Sequence, residues 1–431
     1  MCYAIPGRVT SFNQETVIID YFGEEKKAHN DFYELKVGDY VYAQGGFVVK
    51  KIPPDEALEI LSVWKETFFD LQEIDLRLSR LNLEAQGIPR KTGLILDKLC
   101  EGRPASKEEL LYFLNLDDPF QIELLGKSAN FVRQKNLKNS CCVHGIIEIS
   151  SHCSQRCSYC GISAHHQSLS RYRMGCEEIY SVAFDAVEKY GFKALVLQSG
   201  EDAGYQTEEL AGVIRKIREE LGALIFISFG EISIDALDEY YQAGARGFLM
   251  RFETSNPVLY EKVRPGNHLE TRLELLRKAY EAGYLIITGA LIGLPGQTPE
   301  DILNDIHLAN ELKTEMLSFG PFIPHPSTPF ACEKKPLETD VLKTLAVARL
   351  CSDPESKILV TTGFETLTPQ ARKTGLMAGA NSVMLNVTPM QYRKKYCIYP
   401  HRAHEDEEIA FQIQETISLL KSLGRAPTDL G

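Results

Sequence analysis

The chain has no apolar run approaching the ~20 residues of a membrane span, and its first residues show no signal-peptide pattern. Its eleven cysteines follow no regular spacing, which fits a reducing compartment better than a disulfide framework. Basic residues are in deficit: the formal net charge of −12 argues against a nucleic-acid polyanion as principal partner. Internal repeats and low-complexity tracts are missing. The glycine-rich run Gly293–Thr298 lacks the Lys-Ser/Thr ending of a phosphate loop. No Ser-His-Asp or paired-carboxylate arrangement stands out. These absences leave a soluble cytoplasmic chain, free of membrane and nucleic acid, whose 44% apolar residues can build large cores.

At 431 residues two domains are expected. Residues 1–52 read as a small all-β module, with Val9–Phe12, Val17–Phe22 and Tyr40–Lys51 apolar or alternating and punctuated by Gly23, Asn30-Asp31, Gly38-Asp39 and Gly45-Gly46. Pro53-Pro54 ends it, and Asp55 is placed to cap a helix through Leu58, Leu61, Trp64, Phe68 and Leu71. Ser106-Lys-Glu-Glu109 is a capping box before Leu110. The expected division is 1–70 for the β-module and its helix, 71–135 for a helical linker, and 136–431 for the rest.

From Val143 onward strand and helix alternate. Expected strands are Gly145–Ser150, Ala194–Gln198, Ala223–Ser228, Gly247–Arg251, Leu285–Ile292, Met316–Phe319, Ile358–Thr361 and Ser382–Leu385. Glu177–Tyr190, Leu269–Ala282 and Pro299–Leu312 are among the helices between them. About eight such units imply an α/β chain folded as a (β/α)8 TIM-type barrel, with an open doubly wound sheet as the alternative.

Three thiols carry the chemistry. Cys153, Cys157 and Cys160 lie in one short loop after the first strand. Thiolates are the usual protein ligands of iron–sulfur clusters, and three of them leave one iron of a cubane open. Zinc is the competing reading, with His144, His152, His165 or His166 as a fourth ligand. Polar residues gather where the other strands end, as in Gln198-Ser-Gly-Glu-Asp202, Ser228-Phe-Gly-Glu231 and Arg251-Phe-Glu-Thr254. In a barrel that is the functional face.

The C-x3-C-x2-C spacing, with Tyr159 before the last cysteine, resembles the radical S-adenosylmethionine (radical SAM) superfamily. The resemblance implies one 4Fe-4S cluster whose open iron chelates SAM, and reductive cleavage to a 5'-deoxyadenosyl radical. The expected SAM-binding residues are then Tyr159, Gln198, Gly200, Glu201, Ser228, Glu231, Arg251, Gly293 and Leu294. Glu201 can accept from the SAM ammonium, Arg251 can fork onto its carboxylate, and Glu231 can accept from ribose hydroxyls. Gly200 allows close backbone approach, and Gly293 and Gly296 allow backbone contact with adenine.

Longer stretches sharpen the likeness. Cys157-Ser-Tyr-Cys-Gly-Ile162, Arg171-Tyr-Arg-Met174, Leu195–Asp202, Phe252–Val258 with Val263-Arg-Pro265, Gly293–Thr298 and Gly320-Pro-Phe-Ile-Pro-His-Pro326 resemble the HydE family, the radical SAM maturases of FeFe-hydrogenase. The likeness runs over about residues 90–431. It implies a deep cavity, work alongside HydG- and HydF-like maturases and a one-electron reductant protein, and attack on the sulfur of a cysteine-bound iron carbonyl cyanide. Arg171, Arg173, Thr361, Thr362, Tyr392 and Tyr396 are the expected substrate-cavity residues, with core packing the plainer reading for the last four. The second cysteine group of many family members is missing, because Cys332, Cys351 and Cys397 are far apart; one cluster is expected.

Met1-Cys-Tyr-Ala-Ile-Pro-Gly-Arg-Val9 and Val37-Gly-Asp-Tyr-Val41 resemble the HypC family of small, OB-like NiFe-hydrogenase chaperones. That likeness implies a HypD-like partner and iron held by Cys2, although Gln44 stands where the family often has histidine. Docking without iron is the alternative. Rival functions are another radical SAM reaction of the 3-methylornithine synthase kind, or a non-catalytic iron carrier. Cys141-Cys142 are expected to be packing residues, His165-His166 solvated, and His325 part of a cavity wall.

Overall fold

The computed structural model describes residues 5–13, 16–84 and 87–430. Cys2, the candidate iron ligand, lies outside the described residues. The chain begins with five strands, β1 (Gly7–Asn13), β2 (Thr16–Tyr21), β3 (Glu24–His29), β4 (Tyr40–Gln44) and β5 (Phe47–Ile52), closed into a small barrel in the order β1-β2-β3-β5-β4. Val9, Val17, Ile19, Ala28, Val41 and Val48 fill it. Strand β3 was invisible in the sequence because Glu24-Glu-Lys-Lys27 carries no apolar residue; β2 pairs with it from Thr16 to Tyr21. The apolar stretch Tyr40–Lys51 is a hairpin turned at Gly45-Gly46, the punctuation expected there.

Helix α1 (Pro54–Leu78) crosses the expected boundary at residue 70 without a break. Pro53 occupies its N-cap, and Asp55 lies in the first turn instead of capping it. There its charge still favours the helix dipole. Buried Asp75 receives Arg133 at 2.7 and 2.8 Å and stands 3.1 Å from Arg425. Helices α2 (Arg90–Cys100), α3 (Lys107–Leu114) and α4 (Pro119–Leu137) follow, and α3 starts at the Ser106–Glu109 capping box.

The remainder is a (β/α)8 barrel. Its strands are β6 (Ser140–Ser150), β7 (Ala194–Ser199), β8 (Leu224–Ser228), β9 (Ala245–Leu249), β10 (Leu285–Thr288), β12 (Met316–Leu317), β14 (Lys357–Val360) and β15 (Ser382–Asn386). All neighbours are parallel, and β15 pairs with β6 from Ser382 against Cys142 to close the ring. The expected strand Leu285–Ile292 divides into β10 and β11 (Leu291–Ile292), which pairs with β13 (Gly320–Pro321) beyond the barrel rim. A last piece, β16 (Ala426–Pro427), joins the start of β6. Among the described residues no helix is long and apolar enough to cross a membrane.

The interior is layered. Gln198, Ser228, Ser318 and Thr361 face a cavity at the C-terminal mouth, and Ile146, Leu249, Leu359 and Met384 form its base. Below them Ala194, Val196, Leu224, Phe226, Ile287 and Met316 share one apolar cluster with Tyr42, Phe47, Val49 and Ile52 of the small barrel. The small barrel therefore sits on the floor, at the strand N-termini. Gly45 shows how closely: a Cβ there would come within 2.8 Å of Leu224 and Leu285. Arg246 pairs with Asp31 at 2.8 Å, and Lys193 lies 4.7 Å from the Tyr42 ring centroid.

Candidate functional site

The cysteine loop leaves β6 at Ser150 and crosses the mouth. Cys153, Cys157 and Cys160 all line the mouth cavity, which encloses about 260 Å³. Among the described residues no other cysteine and no histidine lines it. Burial raises all three thiols, and Cys157 reaches about 11 although Arg264 pulls the other way. Loading metal onto these thiols must therefore release protons. Three thiols joined by none of the candidate histidines suit a cubane with one open iron better than a zinc site of mixed sulfur and imidazole.

Backbone contacts fix the loop. Ser154 N–H donates to the Glu201 carbonyl at 3.0 Å, Ser158 N–H to Val263 at 2.9 Å and Gly161 N–H to Ile398 at 2.8 Å. Arg171, expected in the substrate cavity, instead donates to the carbonyls of Ser151, Ile162 and Ser163, the latter two at 2.7 and 2.8 Å. Arg173, also expected there, forks onto Asp202 at 2.5 and 2.7 Å with about a third of its side chain in solvent. Neither arginine lines the cavity. Both are held by acceptors that the same loops supply, so they shape the mouth from outside it.

Of the expected SAM-binding residues, Tyr159, Gln198, Gly200, Glu201, Ser228 and Arg251 line the cavity. Gln198 and Ser228 are register partners on β7 and β8. Gly200 has a further reason to be glycine: a Cβ would lie 2.2 Å from the His152 carbonyl oxygen. Tyr159 donates to Glu253 at 2.7 Å, and burial with that carboxylate nearby keeps it a phenol. Glu231 stands behind the wall, 3.0 Å from both Arg264 and Arg272. Gly293 and Leu294 are also displaced from the cavity lining. Their N–H groups donate to Gln297 at 2.7 and 3.2 Å, and Leu294 packs with Leu291, Val263, Phe322 and Tyr159.

Thr361, Thr362 and Tyr396 line the cavity as expected. Tyr392 does not: it stacks on Tyr172 at 4.4 Å and donates to Glu178 at 2.7 Å. His325 is likewise absent from the cavity lining and stands with His166 and Cys397, a group of three potential ligands. His166 is partly buried, its Nδ1 2.7 Å from the Gly161 carbonyl. Cys332 is exposed and Cys351 lies elsewhere in the helix Glu338–Cys351.

Arg264 and Arg272 escaped the sequence reading. Arg264 lies 3.6 Å from the Cys157 sulfur and donates to Glu201 at 3.2 Å and Glu231 at 3.0 Å. Arg272 approaches Glu231 and Glu201 at 3.0 and 3.5 Å and donates to the Arg251 carbonyl at 2.7 Å. Both are about 4% exposed at the side chain. With Arg251 and Glu253, 3.4 Å apart, they make a cluster of three arginines and three carboxylates beside Cys157. The run Val263-Arg-Pro265 was the available signal, but its spacing does not reveal that a helix end returns to Cys157.

Comparison with known proteins agrees with this geometry. Residues 147–309 match the model of the radical SAM superfamily, and residues 1–64 match that of the HupF/HypC family. The chain is 38% identical over 333 residues to the [FeFe] hydrogenase maturase subunit HydE of Thermotoga maritima, covering 77% of this chain and 94% of that protein. It is 27% identical to the 3-methylornithine synthase of Methanosarcina acetivorans, over 77% and 93% of the two chains. The crystal structure of a methylornithine synthase superposes with a TM-score of 0.68 at 25% identity, covering 77% of this chain and 97% of that one.

Proposed function

We propose, for a chain that belongs to the HydE family of radical SAM enzymes and carries a HypC-like module at its N-terminus, that the mouth cavity cleaves SAM reductively and directs the radical to the sulfur of a small iron carbonyl cyanide during hydrogenase cofactor assembly. One observation supports this reading above the others. Three thiols and a carboxylate–guanidinium cluster converge on one cavity, and among the described residues no further thiol or imidazole lines it. When bound on Cys153, Cys157 and Cys160, a 4Fe-4S cluster supplies the electron for that cleavage. A single cluster is proposed, because Cys332 and Cys351 do not join Cys397.

The chain's own groups would bind and orient. Glu201 takes Arg264 and Arg272 on one oxygen and Gln155 on the other at 2.5 Å, and a carboxylate retains lone pairs for an ammonium beyond these. Arg251 presents a fork to a carboxylate. Gln198 and Ser228 offer neutral hydrogen bonds to ribose hydroxyls. Gly293 and Leu294 shape the adenine side through the backbone that Gln297 holds. Ile146, Leu249, Leu359 and Met384 close the cavity below, which shields a primary radical from water. Arg251, Thr361, Thr362 and Tyr396 would face the anionic substrate. A one-electron reductant protein and HydG- and HydF-like maturases are the proposed partners of this half, and a HypD-like protein that of the module.

Anaerobically reconstituted protein with SAM and dithionite tests the reading. The expected result is 5'-deoxyadenosine formed with a cysteine-bound iron carbonyl cyanide and lost in Cys157→Ser. Product from lysine instead would move the chain to the 3-methylornithine synthase reaction. Absence of 5'-deoxyadenosine from cluster-loaded protein would make it a scaffold.

A further inference from the structure

A second set of ligating side chains lies at the opposite end of the barrel, and the mechanism above does not use it. Cys142 and His144 project from the first half of β6, and Asp429 comes from the C-terminal tail just past β16. Their donor atoms all lie within 4.8 Å of one another, and each residue is at most 4% exposed. They border a small void of about 10 Å³, room for the centre of one ion or water. The hairpin tip Gln44-Gly45 of the small barrel roofs that void, and Glu315 and Lys357, paired to each other, stand beside it.

We propose that Cys142, His144 and Asp429 bind one divalent d-block cation of the zinc class, which fastens the C-terminal tail to the first barrel strand beneath the hairpin of the N-terminal module. Thiolate, imidazole and carboxylate are the donor types such ions take. The His144 Nε2 to Asp429 Oδ2 separation is 3.3 Å. Two ligands about 2.0–2.1 Å from a tetrahedral zinc stand about 3.3 Å apart, so the pair already has the spacing of a coordination edge. The imidazole stacks on Phe226 with ring centroids 5.0 Å apart, and its Nε2 faces Asp429.

Charge favours the ion as well. Glu315 neutralises Lys357, while Asp429 has one ion-pair partner among the described residues, His144. Asp429 also accepts Val143 N–H at 3.2 Å and the Thr428 hydroxyl at 2.7 Å, which fix its orientation. Burial keeps the Cys142 thiol protonated without metal. A divalent cation displaces that proton, and thiolate plus carboxylate then balance its two charges. The event joins residues from the two ends of the barrel chain, and the hairpin over the void slows exchange with solvent.

The test adds zinc(II) sulfate to the cluster-loaded full chain with SAM, removes excess by gel filtration and counts metal. One zinc per chain beyond the cluster iron is expected, with X-ray absorption showing one sulfur at about 2.3 Å and the rest nitrogen or oxygen. His144→Ala and Asp429→Asn should each lower zinc affinity at least tenfold. Cys397→Ser, which cuts the separate His166–His325–Cys397 group, should leave it unchanged. No bound zinc, retention at full affinity in His144→Ala, or loss in Cys397→Ser alone would overturn the proposal. Where a floor variant does not fold, the wild-type absorption spectrum decides: no sulfur, or more than one, refutes the site.

Discussion

At the mouth of the large barrel, a cluster of three arginines and three carboxylates stands against a cavity bordered by three thiols. At the floor, the same eight strands end against apolar side chains of a second barrel, and the space left is about 10 Å³. The two ends differ because parallel strands put every βα loop at one end, where irregular backbone can present polar groups. The other end carries short returns and packs. In this chain that second end is also covered by Tyr42, Phe47, Val49 and Ile52, so Cys142, His144 and Asp429 there are buried. The mouth gathers charge for chemistry, and the floor gathers surface for docking.

Arg264→Met should break this contrast most severely. It leaves Glu201 and Glu231 with one buried guanidinium between them, and removing one partner of a buried pair costs about 3–5 kcal/mol. Denaturant unfolding should record that loss, and 5'-deoxyadenosine yield should fall with it. A variant of full stability would mean that the cluster is solvated. Gly45→Val sharpens the contrast from the other end. Its side chain meets Leu224 and Leu285, and φ is +54°, so docking should weaken by about 1–3 kcal/mol. Hydrogen exchange should quicken in β4 and β5 while SAM cleavage is retained; equal loss of cleavage would show that floor and mouth are coupled.

The smallest expected effect is one of pH at the mouth side. Burial pushes His404 down, but Glu365 at 3.2 Å and Glu407 at 2.7 Å raise it above its ordinary 6.5. The folded chain then holds this proton more tightly than the unfolded one. The stabilisation is complete below about 6.5 and is lost as pH rises through the raised value. Melting temperatures of wild type and His404→Gln should therefore differ in mildly acid buffer and converge in alkali. A constant gap would assign the residue to packing alone.

Much of this was legible in one dimension. All eight barrel strands were placed within a few residues, because continuous apolar runs ending in Gly or polar clusters mark buried parallel strands. Cys153, Cys157 and Cys160 needed no tertiary information, since eight residues of chain keep them together. Arg171, Arg173 and Tyr392 were misplaced for a common reason. Charge and aromaticity suggest a cavity, but Asp202, Glu178 and the loop carbonyls compete for the same donors. Arg264 and Arg272 were missed because their partners are on other strands. The polar strand β3 carried one apolar residue, Ala28, too little for a hydrophobic pattern.

Local order in the chain therefore settled the elements, the two barrels and the thiol loop: burial periodicity and covalent proximity act over a few residues. Only the tertiary structure decided which arginines reach Cys157, that the small barrel closes the floor, and that Asp429 meets Cys142 and His144. Those outcomes depend on desolvated charges finding partners across the closed ring, and residues distant in sequence become neighbours only when β15 meets β6.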